Sequence, residues 1–124
     1  IKDKNDAEKI TTQFYTLLEN EQYRNTYPLF GKKFFQSTDT SKLDYVYKIL
    51  SKKLGAIESF DLDHWQTQII NGEYPISNYT LFFSVSRKKY ASKEIINLSK
   101  ENDSIKIVGY DVKSKGLFPS DSSD

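Results

Sequence analysis

The spacing of apolar residues changes once along this chain, near Gly55, and that change constrains the fold more than any other feature of the sequence. Before Gly55, apolar residues recur at intervals of three and four, which is the spacing of helices with one buried face. After Gly55, apolar and polar residues alternate, as they do in half-buried strands. Helices followed by strands favour an α+β domain, and we predict three N-terminal helices packed on a curved four-stranded antiparallel sheet.

The three helices are predicted from their apolar stripes and their end signals. The first begins between residues 3 and 5 and stops at an acidic break. A short second helix must end near Pro28, because a residue that precedes proline is pushed out of the helical region. The third has the clearest stripe, and Thr40 or Ser41 is predicted to cap its start, while Gly55 suits its C-terminal end.

Four strands are predicted after the third helix, over residues 60–70, 79–85, 93–100 and 105–112. The second has the most regular alternation, and its odd-numbered residues are predicted to face the helices. In the first and the last strand the apolar residues change parity partway, in the last strand at Gly109. A β-bulge explains such a slip, and two bulged strands predict a strongly curved sheet.

Length and composition favour one domain without stabilising cross-links. The chain has 124 residues, a net charge of +1 and no cysteine. We predict a single domain over residues 1–118 and a disordered polar tail over residues 119–124. Without cysteine, disulfides and thiol nucleophiles are excluded. A chain that begins at Ile1 and contains no Met favours a product trimmed at its start, by loss of a signal peptide or a lipid anchor or by the choice of boundaries.

Charge and hydropathy narrow the partners that we expect. The net charge is too small to favour nucleic acid, and the basic residues within 87–93 are interpreted as a charged hairpin end. No apolar run approaches the roughly 18 residues of a membrane-spanning helix, so no transmembrane segment is predicted. No motif for a cofactor is present, and none is expected.

Some segments of the chain carry a resemblance to a known family. They are Phe14 to Leu18 before an acidic break, Leu54-Gly55 at the end of the third helix, and the hairpin from Glu94 to Tyr110 with its final Val108-Gly109-Tyr110. With the predicted order of elements, the chain resembles the cystatin-like superfamily that includes the nuclear transport factor 2-like proteins. Within it, the chain is similar to small bacterial envelope proteins of unknown function. The resemblance, over about residues 5–115, implies the cystatin-like fold and a periplasmic, lipid-anchored or secreted location, but no activity.

The resemblance also implies one catalytic alternative. In this superfamily the cone between helices and sheet can hold a His and Asp pair that acts as general base and orienting acid, and His64 lies beside Asp61 and Asp63. Strand alternation puts the two carboxylates on one face and His64 on the other, unless a bulge lies between them. The same geometry and too few ligands count against a metal site. We therefore favour a solvent-exposed or hydrogen-bonded histidine over an isomerase or hydratase.

Aromatic residues form the second candidate site. Tyr47, Trp65, Tyr79, Phe83 and Tyr110 are predicted to lie between the third helix and the sheet. There they either line a pocket for a small apolar ligand or fill the core, and we favour a filled core.

The outer face of the sheet is the third candidate. Phe82 lies opposite the inward residues of the second strand, with Thr80 and Ser84 beside it, and an apolar residue there suits a homodimer or another protein partner. The sequence thus favours a non-catalytic binding or protein-interaction domain of the bacterial cell envelope. The alternative is the cofactor-free enzyme that uses His64.

Overall fold

The structure, a computed structural model, describes residues 2–118, so the tail predicted for 119–124 lies outside the described residues. Helices come first and a four-stranded antiparallel sheet follows, so the predicted α+β class is confirmed. The elements are α1 (Lys2–Glu19), a 3₁₀ helix (Tyr23–Leu29), α2 (Lys32–Phe35), α3 (Thr40–Leu54), β1 (Ile57–Ile70), β2 (Ile76–Arg87), β3 (Ser92–Glu101), β4 (Ser104–Lys113) and a final 3₁₀ turn (Lys115–Leu117).

The ends of the helices follow from local chemistry, with one correction. The N-cap of α3 is Asp39, one residue before the predicted Thr40 or Ser41, and its carboxylate accepts a 2.9 Å hydrogen bond from the backbone N–H of Lys42. A side chain that reaches the third helical N–H in this way satisfies a donor that has no partner within the helix. At the other end Gly55 has a φ of 87°, a conformation that suits glycine.

The sheet has the order β1-β2-β3-β4, and both predicted slips are β-bulges. In β1 the register with β2 shifts between Leu62 and His64, so Asp63 is the extra residue. In the β3–β4 pair a shift lies next to Gly109. Each bulge bends its strand and increases the local twist.

The core lies between α1 and the sheet. The odd-numbered residues of β2 from Tyr79 to Val85 are buried, as predicted. Phe14 and Tyr15 of α1 are fully buried, and the Tyr15 ring packs edge-to-face on Phe83 with 5.0 Å between the ring centroids. Burial of one such side chain contributes roughly 1.5 to 3 kcal/mol, so these rings hold α1 on the sheet.

The two edges of the sheet differ. Beside β4, Phe30 forms a parallel bridge to Ile107, and the N–H of Gly31 donates a 2.8 Å hydrogen bond to the carbonyl of Ile107. At the opposite edge, no described strand or bridge pairs with the outer side of β1. Every residue of β1 from Asp63 to Ile70 is exposed, so the helices do not cover that end of the strand.

Candidate functional site

A buried carboxylate lies at the centre of the cone between α1 and the sheet. Glu94 of β3 is fully buried, and its Oε2 accepts hydrogen bonds from Arg87 Nη2 at 2.8 Å, Arg87 Nε at 3.1 Å and the Ser92 hydroxyl at 2.5 Å. Its Oε1 accepts from the hydroxyls of Tyr15 at 2.9 Å and Tyr110 at 2.6 Å. We call these five residues the Glu94 cluster. Five donors saturate the carboxylate, so it has no free lone pair for a substrate.

Burial and charge keep the tyrosines of the Glu94 cluster neutral. Burial raises the pKa of Tyr15 well above its usual value, and the negative charge of Glu94 raises it further. The same two causes raise the pKa of Tyr110. Burial alone would lower the pKa of Arg87, but the Glu94 charge and the neighbouring phenols raise it above its usual value. The phenols therefore stay protonated and the guanidinium stays charged.

The sequence analysis missed the Glu94 cluster, although the signal was present. Glu94 pairs with Phe83 across β2 and β3, and paired residues of adjacent strands share a face. Since Phe83 was predicted to face the helices, Glu94 had to face them as well. Arg87 has the same parity as Phe83 along β2, so its burial also follows from strand alternation.

The open end of the cone is nearly filled. A cavity of about 40 Å³ remains there, and its lining includes Leu18, Tyr23, Tyr47 and Arg87. That volume suits about one water molecule, whereas pockets for small molecules have roughly 300 to 1,000 Å³. A groove of about 480 Å³ lies outside the cone, on the surface between the first 3₁₀ helix and α3. Among residues 2–118, the cavity at this end of the cone is therefore too small for a metabolite.

The five predicted pocket aromatics do not form one pocket. Tyr47, Tyr79 and Phe83 are buried in the core, and Tyr110 is half-buried in the Glu94 cluster. The hydroxyl of Tyr47 is 2.7 Å from that of Thr26, and Tyr79 donates a 2.9 Å hydrogen bond to Asp3. The hydroxyl groups of Tyr47 and Tyr79 thus form hydrogen bonds within the protein.

Trp65 is separated from the other four. It lies on the helix-facing side of β1, opposite Leu81, but half of its surface is exposed. The ammonium group of Lys4, at the start of α1, lies 3.8 Å from the centre of a Trp65 ring. This cation–π contact covers only part of the indole.

His64, Asp61 and Asp63 share one face, but it is the outer face of the sheet. The bulge at Asp63 resets the alternation, so His64 lies opposite Phe82 and Asp61 lies opposite Ser84. Asp63 accepts a 2.6 Å hydrogen bond from Ser84, which lowers its pKa. Within residues 2–118 no hydrogen bond joins His64 to either carboxylate. None of the three residues lies in the cone.

The predicted interface residues lie on the same outer face. The ring of Phe82 stacks on that of His64, with 4.1 Å between the centroids and 8° between the planes. Ile95 of β3 lies directly opposite Phe82 and is half-buried. The flanking Thr80 donates a 2.8 Å hydrogen bond to Asn97. We call His64, Phe82 and Ile95 the outer-face cluster, since they form an apolar centre in a polar surface.

A second group of apolar side chains is exposed where β1 and β2 meet. These side chains are between 37% and 82% exposed, and they are Trp65, Ile69, Ile70, Tyr74 and Ile76. We call this group the hairpin end. It shares β1 with the outer-face cluster but not one face, because His64 points to the outer side of the sheet and Trp65 points to the helices.

Comparison with known proteins identifies no matching family model and no matching curated protein. Among residues 2–118, no cluster of three or more His, Cys, Asp or Glu side chains is suited to hold a metal ion. In the same range, no helix has both the length and the apolar character needed to cross a membrane.

Proposed function

We propose that this chain is a non-catalytic protein-interaction domain of the bacterial cell envelope, with a cystatin-like fold, that binds its partner through the surface of the sheet. One observation carries the proposal. Large apolar side chains are exposed at the hairpin end, and the outer-face cluster lies on the same sheet, whereas the cavity within the cone has only about 40 Å³. The envelope location rests on the sequence resemblance alone.

The contents of the cone support a surface function. A catalytic or ligand-binding carboxylate needs a free lone pair and space beside it. Five donors surround Glu94, and Glu94 lines none of the cavities described above. The Glu94 cluster instead joins α1 to β2, β3 and β4, which is a structural role.

The surface of the sheet has the features of a contact site. Apolar side chains that are grouped and exposed are uncommon on monomers and mark interaction surfaces. Around the outer-face cluster, Thr80 and Asn97 form a polar rim, and Ser84, Asp63 and Lys93 form another. An apolar centre within a polar rim is the usual anatomy of a protein interface.

The enzyme alternative lacks the geometry that it requires. A His and Asp pair would have to lie within hydrogen-bond distance in a site that excludes water. His64 lies instead on an exposed strand, stacked on Phe82, and Asp63 is engaged by Ser84. The outer-face cluster therefore fits a contact surface better than a catalytic site.

Substitution of Phe82 by Asp tests the proposed function. The charge would disrupt an apolar contact, so we expect Phe82→Asp to abolish capture of a partner from envelope extracts by the immobilised chain. Tyr45→Asp is the matched control, because Tyr45 is exposed on α3, away from the sheet. Both variants should keep the circular dichroism spectrum of the wild type. Equal capture by the wild type and both variants would contradict the proposal.

A further inference from the structure

The free edge of β1 is unlike the protected edge of β4. Edge strands present unpaired backbone N–H and C=O groups, and proteins usually protect them with charges, proline, bulges or covering segments. Phe30 and Gly31 cover part of β4, which also carries Lys106, Asp111 and Lys113. The segment from His64 to Ile70 in β1 contains no Asp, Glu, Lys, Arg, Pro or Gly.

This segment is a stretch of edge without a further bulge. It begins after the bulge at Asp63 and ends where the loop of residues 71–75 starts. All seven of its residues are exposed. Lys4 is the cation that reaches it, over Trp65, and its ammonium group is also paired with Glu8 at 2.9 Å. The segment is therefore available for pairing with another strand, and no net charge opposes it.

The segment is complementary to itself in one antiparallel register. In a symmetric pair of strands, residues that lie opposite each other share a face, so the two-fold axis must pass through a residue. An axis at Thr67 places Trp65 opposite the partner's Ile69 on the helix-facing side. Axes at Gln66 or Gln68 place apolar residues opposite polar ones.

The register centred on Thr67 also matches on the outer face. It places His64 opposite the partner's Ile70, so that this Ile70 adjoins the outer-face cluster. It places Gln66 opposite the partner's Gln68, where the two amides can exchange hydrogen bonds. Pairs of an aromatic and a β-branched residue across adjacent strands are among the stabilising ones.

The exposed area is sufficient for a weak specific dimer. At the exposures given above, the five residues of the hairpin end present on the order of 500 Å² of surface per protomer. Complete burial of these side chains in both copies would cover about 1,000 Å², near the lower limit for a specific interface, so about 1,000 Å² is an upper bound. Pairing would also satisfy backbone groups on both edges. Because Phe30 and Gly31 obstruct part of each β4 edge, the assembly would close as a dimer with one eight-stranded sheet.

We propose that the occupant of the β1 edge is a second copy of this chain, paired antiparallel through His64 to Ile70 with the two-fold axis at Thr67. This inference rests on the proposed function, because it names a partner for the same surface.

Charge substitution at Thr67 tests both the dimer and its register, with mass measured by analytical ultracentrifugation up to about 1 mM. The register places Thr67 opposite itself, so Thr67→Lys alone and Thr67→Glu alone should each weaken the dimer by at least about tenfold. A mixture of the two variants should restore it. Ser86→Lys, an exposed position on β2, is the matched control and should leave the dimer unchanged.

A crosslink provides a second measurement of the register. The chain has no cysteine, so Thr67→Cys introduces a single thiol that faces its counterpart across the axis. We expect oxidation to link most of the Thr67→Cys chains into dimers and few of the Gln66→Cys chains. Equal linkage of the two variants would overturn the register.

The outcomes separate this inference from the proposed function. A wild-type chain that stays monomeric up to about 1 mM, or a dimer that both Thr67 variants retain, would overturn the dimer. If such a monomer still captures an envelope protein and loses it on Phe82→Asp, the proposed function stands while this inference fails.

Discussion

Replacement of Glu94 by Gln would test whether the Glu94 cluster holds the fold together. Gln has nearly the same shape but no charge, and its amide nitrogen donates where the native oxygen accepts. The change leaves Arg87, whose side chain is only 4% exposed, without its counter-ion. The introduced amide N–H group would also face at least one of the five hydrogen-bond donors that surround the native carboxylate, so that two donors point at each other.

The free energy of unfolding that Glu94→Gln is expected to remove is large relative to the total stability of a domain of this size. Removal of one partner from a buried ion pair costs about 3 to 5 kcal/mol, and domains unfold at roughly 5 to 15 kcal/mol. We therefore expect Glu94→Gln to lower the free energy of unfolding by about 3 to 5 kcal/mol. Tyr15→Phe removes one of five donors and should cost about 1 to 2 kcal/mol.

Urea unfolding followed by far-ultraviolet circular dichroism measures these differences by linear extrapolation. The double variant Arg87→Met/Glu94→Gln is the internal control, because it leaves no charge unpaired. It should cost less than the sum of the two single changes. A loss below about 1 kcal/mol for Glu94→Gln, or strictly additive single changes, would refute the argument.

Two further predictions concern alkaline pH and the cap of α3. The folded pKa values of Tyr15 and Tyr110 are raised, so above pH 10 the native state keeps protons that the unfolded state loses. The contribution of these tyrosines to the free energy of unfolding should therefore be fully present below about pH 10 and should be lost as the pH rises towards their folded pKa values. Urea titrations at about pH 8 and 11 measure this loss. Tyr110→Phe should make the loss smaller, whereas the exposed control Tyr45→Phe should leave it unchanged. Asp39→Ala should lower the free energy of unfolding by about 1 kcal/mol, and equal stability of Asp39→Ala and wild type in urea would show that the cap contributes nothing.

The fold was predictable because the spacing of apolar residues along the chain indicates which face of each helix or strand is buried. A helix on a sheet repeats its apolar residues every three or four positions, and a half-buried strand repeats them every two. Even the two bulges were visible, since an extra residue moves the following side chains to the opposite face. The cap of α3 was missed by one residue, because Asp39, Thr40 and Ser41 are all good capping residues.

The candidate site was less predictable, because it depends on which parts of the sheet the helices cover. The alternation of β1 predicted the face of Trp65 but not its exposure, which depends on how much of the strand the helices cover. The face of His64 depended on one bulge, whose position within residues 60–70 the sequence leaves open. The burial of Glu94 was not predicted for another reason, since a glutamate is almost always exposed unless it is paired, and its pairing with Arg87 is set by the fold.

Hydrogen–deuterium exchange, measured residue by residue, tests the central claim most directly: contacts form at the surface of the sheet and not in the cone. The measurement compares the dilute chain with the chain at high concentration or bound to a captured partner. We predict slower exchange for the amides of residues 64–70, with no change in α3. Slower exchange in α3 and the first 3₁₀ helix, with residues 64–70 unchanged, would contradict the account. It would show that the contact surface lies on the helical side of the molecule.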